Sequence, residues 1–222
     1  MRCALYFGSF NPLHIGHAAI ARYVLENCNV DTLRLVLTPM NPFKEADPSL
    51  TNVELRLENL KKSVDKFNSA ESISAASASI SAAGNSAAGN SSASSSSAGN
   101  SSASSSSASS SRKTLEISTV EFGLPKPNYT YNTLQYLKET EPDNTFIIIM
   151  GADNLAVIEK WHKGLEILSS HEVWVYPRQG FDTQALCKKY GATYLDAPQV
   201  DVSSTMIREG ESKGLDMSYL RY

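Results

Sequence analysis

The stretch FGSFNPLHIGHAAIARYVLEN, Phe7–Asn27, passes from an apolar segment through a turn into a helical pattern. The apolar run Arg2–Phe7 predicts a β-strand, and Ala18–Asn27 predicts a helix. Two of the four histidines of the chain, His14 and His17, lie in the turn between the two. A strand that leads through such a turn into a helix is the unit of parallel sheets that bind ligands at one edge.

The rest of the chain alternates between strand-like and helix-like patterns. Further strands are predicted at Leu33–Thr38, Thr114–Phe122, Thr145–Met150, Val173–Tyr176 and Ala192–Leu195, and further helices at Asn52–Phe67, Tyr131–Glu139, Ala156–Ser169 and Thr183–Tyr190. The second helix opens with Thr51-x-x-Glu54, the pattern of a capping box. The run Phe146–Met150 is apolar throughout, as is typical of a central parallel strand. The alternation predicts an α/β fold with a Rossmann-like, doubly wound parallel sheet and helices on both faces.

The composition excludes several classes of protein. The chain is 41% hydrophobic with a net charge of −3, and it has no basic stripe, which argues against a nucleic-acid partner. No apolar stretch is long enough to cross a bilayer, and the N-terminus does not resemble a signal peptide. Its three widely spaced cysteines, Cys3, Cys28 and Cys187, do not resemble a disulfide framework. We therefore expect a cytoplasmic protein without a membrane partner.

One segment differs from the rest in composition. From Ser69 to Ser111 the chain is almost entirely Ser, Ala, Gly and Asn, with near-repeats such as SAAGNSAAGN. Such a tract buries too little apolar surface to offset the entropy of ordering it. We interpret it as a flexible insert, with the alternative that its residue identities do not reflect an evolved sequence. The chain is then a single domain, residues 1–222, interrupted at 69–111.

The turn after the first strand has the features of an anion site. Gly8 and Gly16 allow the backbone to approach a ligand closely. A helix that begins near Gly16 directs free N–H groups and the positive end of its dipole toward the sheet edge. His14 and His17 can donate hydrogen bonds to phosphate oxygens and add charge when protonated. The plainer alternative is that both histidines only cap or pack, and a zinc site lacks a third and fourth ligand.

A second candidate anion site lies near the C-terminus, in the stretch Val202–Arg208. A serine at a helix start caps the helix and exposes the following amides. Arg208 lies about one turn after Ser204, on the same face of the predicted helix. Ser203, Ser204 and Arg208 together can hold a phosphate, although an ordinary capped helix with a surface arginine remains an alternative. Two such sites in one small domain suggest a polyphosphate bound between two helix starts.

Several motifs together resemble a known family. GSFNPLHIGH resembles the signature of the nucleotidyltransferase superfamily with the His-x-Gly-His motif, and SSTMIR resembles its C-terminal partner motif. TPMNPFK, NYTYNTLQYL, IIIMGADNL, Trp161 and VYPR follow in the order of that family. The set is similar to bacterial nicotinate mononucleotide adenylyltransferases. The resemblance covers nearly the whole chain except Ser69–Ser111 and a short stretch at the C-terminus.

The resemblance implies an enzyme that transfers the adenylyl group of ATP to nicotinate mononucleotide, giving deamido-NAD and pyrophosphate. The acceptor phosphate attacks the α-phosphorus in line, without a covalent enzyme intermediate. Mg²⁺ is the implied cofactor, held by the ATP phosphates and not by a protein ligand. His14 and His17 are the implied catalytic residues, with His17 at the transition state. The implied ATP-binding residues are Gly8, Ser9, Phe10, His14, His17, Lys44, Gly151, Asp153, Ser203, Ser204 and Arg208.

The implied mononucleotide-binding residues are Tyr129, Thr130, Asp153, Trp161 and Arg178. Trp161 would stack on the pyridine ring, and backbone amides at Tyr129 and Thr130 would face its carboxylate. Asp153 is a natural acceptor for ribose hydroxyls. Each residue also has a plainer interpretation: Trp161 as a core residue, Tyr129, Thr130 and Asp153 as helix caps, and Arg178 and Lys44 as solvated cations.

The sequence departs from the family pattern at Asn11, where many members have aspartate, so a role for charge at that position is absent here. Other acceptors for the same chemistry are nicotinamide mononucleotide and phosphopantetheine, and a cytidylyltransferase would use the same phosphate site. GADN and SSTMIR argue against phosphopantetheine and against cytidylyl transfer. A protein that binds ATP without reacting, as a regulator, is the alternative from another class. A homo-oligomer is also compatible with the resemblance.

Overall fold

The computed structural model describes residues 1–40, 50, 52–83 and 113–222, with only the backbone described for 70–83. In this part of the chain the strands are β1 Arg2–Gly8, β2 Thr32–Leu37, β3 Thr114–Ser118, β4 Thr145–Gly151, β5 Glu172–Tyr176 and β6 Thr193–Tyr194. The α-helices are α1 Ile15–Asn27, α2 Val53–Ala83, α3 Thr130–Thr140, α4 Ala152–Leu155, α5 Gly164–Ser170, α6 Thr183–Tyr190 and α7 Ser204–Ser212.

All the strands are parallel and lie in the order β3-β2-β1-β4-β5-β6. The chain begins in the middle of the sheet, builds outward to β3, and then crosses back to add β4, β5 and β6 on the other side. This order creates a topological switch point between β1 and β4, where ligands bind beyond the carboxyl ends of the strands. The predicted Rossmann-like α/β fold is confirmed.

The sheet separates two hydrophobic cores. Because side chains alternate along a strand, Ala4 and Tyr6 of β1 face the core that contains α1 and α2, whereas Cys3 and Leu5 face the core of α3, α5 and α6. Every residue of Phe146–Met150 in β4 is buried, as predicted for a central strand. A third, smaller cluster of Val202, Ile207 and Leu220 packs α7 against the chain near Ile15.

The helix predicted at Ala156–Ser169 is wrong. The chain instead forms α4, a 3₁₀ turn at Ile158–Lys160, and then α5. Lys163 adopts a left-handed backbone with φ 54°, which ends one helical segment and starts the next. A Cβ at Gly164 would collide with the carbonyl oxygen of Ile158, so only glycine fits this close return of the chain. The apolar periodicity continues across the break, and it therefore suggested one helix.

The third strand is shorter than the predicted Thr114–Phe122. β3 ends at Ser118, and Val120–Gly123 forms a 3₁₀ turn. The turn brings Glu121 into the interior, where the Thr133 hydroxyl donates to its carboxylate at 2.8 Å. This buried polar contact is decided by tertiary structure, and strand propensity did not reveal it.

The second helix is longer than predicted and continues to Ala83, within the tract 69–111. Alanine is the strongest helix former and serine is tolerated, which accounts for the extension of the backbone helix. The N-cap contact is Asn52 Oδ1, which accepts from Leu55 N at 2.9 Å, whereas the predicted cap Thr51 lies outside the described residues. Residues 84–111 also lie outside them, so the flexible insert stays a prediction. Among the described helices, none has the length and apolar character of a bilayer span.

Candidate active site

A cavity of about 480 Å³ opens at the carboxyl ends of β1 and β4. Two groups of residues line it. We call Gly8–Phe10, His14, His17, Ser203–Thr205 and Arg208 the histidine group, and Asn128–Thr130, Trp161 and His162 the tryptophan group. Most of the residues predicted from the sequence therefore share one cavity. Gly151 does not line it, and Lys44 lies outside the described residues.

The turn after β1 is shaped by Phe10. Its backbone has a positive φ of 43°, uncommon for a residue with a side chain, and its ring is buried. A Cβ at Gly8 would lie 2.9 Å from the Phe10 ring, so glycine is needed for this ring to fold back on the turn. At Gly16 the contact is looser, since a Cβ would lie 3.1 Å from the His14 imidazole, which would have to shift by a few tenths of an ångström. Close packing therefore favours glycine at both positions, more strongly at Gly8.

His14 and His17 form a stacked pair at the start of α1. Their ring centroids are 3.7 Å apart with an angle of 28° between the planes. His14 is the N-cap residue, and its backbone N–H donates to Nδ1 of His17 at 3.3 Å. Since Nδ1 of His17 accepts, the proton of the neutral ring is on Nε2, which is the donor nitrogen. His14 thus stands at the cap position, and the His17 ring satisfies its amide. This contact does not conflict with ligand contact, because both rings line the cavity.

His14 is a neutral imidazole at physiological pH. Its side chain is buried, and burial together with the nearby positive charge of Arg178 lowers its pKa to about 4. Nδ1 of His14 has no hydrogen-bond partner among the described residues although it is buried. Without a ligand, His14 can act as a hydrogen-bonding group but does not add the positive charge considered from the sequence.

The start of α7 is tied directly to the loop that precedes α1. The Ser204 hydroxyl donates to the carbonyl of Pro12 at 3.0 Å, and Nη1 of Arg208 donates to the carbonyl of Asn11 at 2.7 Å. Ser203 caps the helix by accepting from Met206 N at 3.1 Å. As predicted, Ser204 and Arg208 share one face of the helix. Their contacts show that this face also holds the two distant parts of the histidine group together.

A chain of polar side chains connects the histidine group to Asp153. The Tyr6 ring lies 5.8 Å from the His17 ring, and the Tyr6 hydroxyl donates to that of Tyr176 at 3.1 Å. Arg178 donates to the Tyr176 hydroxyl at 3.3 Å, and its Nε lies 3.6 Å from Oδ1 of Asp153. Burial raises the pKa of both tyrosines, so they remain protonated donors.

Asp153 is the one carboxylate among the described residues that line the cavity. It lies in the first turn of α4, two residues after the N-cap residue Gly151. A Cβ at Gly151 would collide with Oδ1 of Asp153, so glycine at this position permits the carboxylate to fold back toward Arg178. Gly151 thus supports the site without lining it.

The tryptophan group gathers aromatic rings from two segments. The Tyr129 ring lies 4.7 Å from the His162 ring at an angle of 33°. Tyr129 is the N-cap residue of α3, so the first amides of that helix begin at the cavity wall. Trp161 packs partly on the core of α3 and α5 and also lines the cavity, so the core and site interpretations both apply.

Thr38, Asn128 and His162 also line the cavity, and the sequence motifs did not predict them. Asn128 is buried and links two segments, because its Oδ1 accepts from Met40 N at 3.3 Å and its Nδ2 donates to the carbonyl of Glu121 at 2.9 Å. Their positions in the sequence could have predicted them, because each one is adjacent to a predicted site residue or ends a predicted strand.

Comparisons with known proteins show the family to which the chain belongs. A family model described as cytidylyltransferase-like matches residues 5–210. A protein of Flavobacterium psychrophilum named probable nicotinate-nucleotide adenylyltransferase is 34% identical over 94% of this chain and 86% of its own length. A protein of the same name from Bacteroides fragilis is 30% identical over 98% of this chain and 86% of its own length.

The fold is also similar to solved structures. The Plasmodium falciparum nicotinic acid mononucleotide adenylyltransferase complexed with NaAD matches with a TM-score of 0.65 at 17% identity, covering 98% of this chain and 87% of that one. A likeness at this level of identity is one of fold.

Proposed function

The chain belongs to the cytidylyltransferase-like family, and we propose that it transfers the adenylyl group of ATP to nicotinate mononucleotide, giving deamido-NAD and pyrophosphate. The observation that carries the proposal is that the histidine group and the tryptophan group share one cavity. Two helix N-termini with His14, His17 and Arg208 line it together with Trp161 and Asp153. A triphosphate suits the first set, and a nucleotide with a flat ring and a ribose suits the second.

In the proposed reaction, the histidine group binds the triphosphate of ATP. The amides at the starts of α1 and α7 and the guanidinium of Arg208 favour phosphate oxygens. Nε2 of His17 donates to the oxygen on which charge develops as the acceptor phosphate attacks the α-phosphorus. This donor is held in place by the contact of Nδ1 with His14 N, so it requires no reorganisation during the reaction. Positioning and charge stabilisation then account for catalysis.

Mg²⁺ enters the proposal as part of the ATP substrate. The described residues contain no group of three His, Cys, Asp or Glu side chains arranged to hold a metal ion. Asp153 offers a hard oxygen at the cavity, but its carboxylate lies beside Arg178, which competes for it. These residues do not fit a protein-bound Mg²⁺, and we assign no step to such an ion.

The tryptophan group binds the mononucleotide in this proposal. Trp161 stacks on the pyridine ring, and Asp153 accepts hydrogen bonds from ribose hydroxyls. The amides at the start of α3 face the ring carboxylate at the positive end of an eleven-residue helix. A helix N-terminus attracts a carboxylate more strongly than a neutral amide. We therefore propose that nicotinate mononucleotide is preferred over nicotinamide mononucleotide.

The proposal also covers the organisation of the chain. Residues 1–222 form one domain with an insert at 69–111, and the protein acts in the cytoplasm. Support for this compartment comes from Cys3, Cys28 and Cys187, which are free thiols, as expected in a reducing environment. A homo-oligomer is compatible with the proposal and is tested by the mass of the protein in solution.

One assay tests the function. The protein is mixed with ATP and Mg²⁺ and with nicotinate mononucleotide, nicotinamide mononucleotide or phosphopantetheine, and pyrophosphate release is followed. We expect the highest kcat/KM with nicotinate mononucleotide and no turnover with phosphopantetheine. Highest turnover with another acceptor would refute the substrate assignment. ATP binding without pyrophosphate release for any acceptor would favour a regulator.

A further inference from the structure

Arg56 is a buried arginine on α2, with only 2% of its surface exposed. Arginine is seldom buried to this degree unless it is paired. Its guanidinium donates four hydrogen bonds, all to backbone carbonyl oxygens. In the described part of the chain no carboxylate forms an ion pair with it, and burial lowers its pKa. The positive charge is therefore balanced by peptide dipoles, which makes the position of each carbonyl important.

The four carbonyls belong to three separate segments. Nη1 donates to Ser9 O at 3.2 Å and to Thr38 O at 3.0 Å, which lie after β1 and β2. Nη2 donates to Pro39 O at 2.9 Å and to Leu50 O at 3.1 Å. Ser9 and Thr38 both line the cavity, although Arg56 itself does not. One side chain thus sets the distance between two walls of the site.

The chemistry of this contact requires a guanidinium. Its planar fork directs donors in fixed directions from two nitrogens. A lysine ammonium is a single centre and cannot reach both pairs of carbonyls. Each carbonyl left without a donor in the interior is unfavourable, so loss of the fork allows the two turns to move apart.

We propose that Arg56 is a positioning residue for adenylyl transfer. It holds the turn after β1 and the turn after β2 at the spacing in which Ser9 and Thr38 fit the triphosphate and the acceptor. The inference rests on the proposed function, because it assigns Arg56 a role in that reaction. Loss of the fork misaligns the reactants, and a displacement of about 1 Å reduces catalysis roughly 10²-fold.

The test compares Arg56→Ala and Arg56→Lys with a control, Arg34→Met. Arg34 is a half-buried arginine on β2, where it pairs with Glu141 at 2.8 Å and with Glu116 at 3.3 Å, and it does not line the cavity. For each variant kcat, both KM values and thermal unfolding are measured. We expect Arg56→Ala to lower kcat/KM roughly 10²-fold and Arg56→Lys to restore only part of it. Arg34→Met is expected to lower Tm while kcat/KM stays within about twofold.

Chemical rescue separates positioning from general stability. Guanidinium ion, below the concentration that unfolds the protein, is expected to raise kcat/KM of Arg56→Ala about tenfold or more, because it can occupy the place of the missing side-chain fork. A tenfold rise corresponds to about 1.4 kcal/mol. The same concentration of urea is expected to have no such effect. Wild-type protein is expected not to be activated by either compound.

Several outcomes would overturn the proposal. Folded Arg56→Ala or Arg56→Lys with wild-type kinetics would do so. The proposal would also be overturned if Arg34→Met lost as much kcat/KM for each degree of lost Tm as the Arg56 variants do. If neither Arg56 variant folds, the residue acts in folding and the positioning role is refuted. A failure of the proposed function is recognised separately, because wild-type protein would then release no pyrophosphate. In that case, unchanged ATP affinity in a folded Arg56 variant would refute the positioning role independently.

Discussion

The histidine group and the tryptophan group line the same cavity but are built in different ways. The histidine group consists of two compact motifs, each within a few residues in sequence, joined by hydrogen bonds from Ser204 and Arg208 to the loop before α1. The tryptophan group takes one short run of residues from the start of α3 and another from the irregular chain between α4 and α5. Its members meet mainly through aromatic rings such as Tyr129 and His162.

This difference indicates how the two groups act. Hydrogen bonds in fixed directions suit the stabilisation of charge that develops on phosphate oxygens, and such effects act on kcat. Ring contacts have broad geometry and act on ground-state and transition-state binding alike, so they act mainly on KM. The following experiments test that division, beginning with the largest expected effect.

His17→Ala is expected to lower kcat by roughly 10²–10⁴-fold, the range typical for loss of one charge-stabilising donor. The fold should persist, because the His17 ring is at the cavity and the start of α1 keeps its N-cap residue. His171→Ala is the matched control: His171 caps the end of α5 and does not line the cavity. Wild-type turnover of His17→Ala would remove the histidine group from the mechanism.

Trp161→Ala is expected to raise KM for the mononucleotide about tenfold while changing kcat little. Aromatic stacking contributes about 0.5–1.5 kcal/mol beyond buried area, and 1.4 kcal/mol corresponds to a factor of ten. Trp161→Phe keeps a ring at the position and is expected to remain within about threefold of wild type. A large fall of kcat in Trp161→Ala, with an unchanged KM, would contradict the division between the two groups.

Glu121→Gln is expected to change the pH dependence of stability. Burial raises the pKa of Glu121 to about 7 from its usual 4.5. The folded state therefore holds this proton more tightly, so its contribution to stability is full below pH 4.5 and is lost as pH rises through 7. The contribution of His14 to stability has the opposite pH dependence. Because its pKa is lowered to about 4, this contribution is present above pH 6.5 and is lost as pH falls through 4.

The contributions of Glu121 and His14 can be separated by measuring Tm between pH 6.5 and 8, because the His14 contribution is already present above pH 6.5. The Glu121 contribution falls by about 0.8 kcal/mol across this range, so wild-type Tm is expected to fall by about 2–3 °C and Tm of Glu121→Gln by clearly less. Glu121 supports the tryptophan group through its carbonyl, which accepts from Asn128 Nδ2. Equal slopes for the two proteins would show that the carboxyl is not protonated in the fold.

The smallest effect is expected from deletion of residues 84–111 with a short linker in their place. Both groups of the site are defined by described residues from other parts of the chain, and the entropic cost of a loop changes little with its length. We expect kcat, both KM values and Tm to remain close to those of the full chain. Loss of folding would show that the stretch is part of the core and refute the assignment of a flexible insert.

The sequence predicted the fold well where one physical effect decides the outcome. The strands β1 and β4 were located within one residue, because burial on both faces leaves few alternatives. The helix after Gly8 was also predicted, but it begins at Ile15 and not at Ala18. The histidine group followed from the same motifs, since local sequence determines helix caps and glycine contacts.

The sequence failed where tertiary contacts decide. The break between α4 and α5 depends on the approach of Gly164 to Ile158, and this contact carries Trp161 to the cavity. The neutral state of His14 depends on burial and on Arg178, which is 164 positions away in sequence. Arg56 follows an inconspicuous helical pattern, and only the folded chain shows that its fork joins three segments.

The bonds that close the histidine group join residues near opposite ends of the chain, with Pro12 bound to Ser204 and Asn11 to Arg208. A ribosome adds about 5–20 residues per second, so roughly 10–40 s pass between synthesis of Asn11 and Pro12 and synthesis of their partners Ser204 and Arg208. During that interval the nascent chain can pair β1, β2 and β3, but it lacks the start of α7, which completes the proposed triphosphate site. Catalytic competence therefore requires synthesis of Ser204 and Arg208, well after most of the sheet has been made.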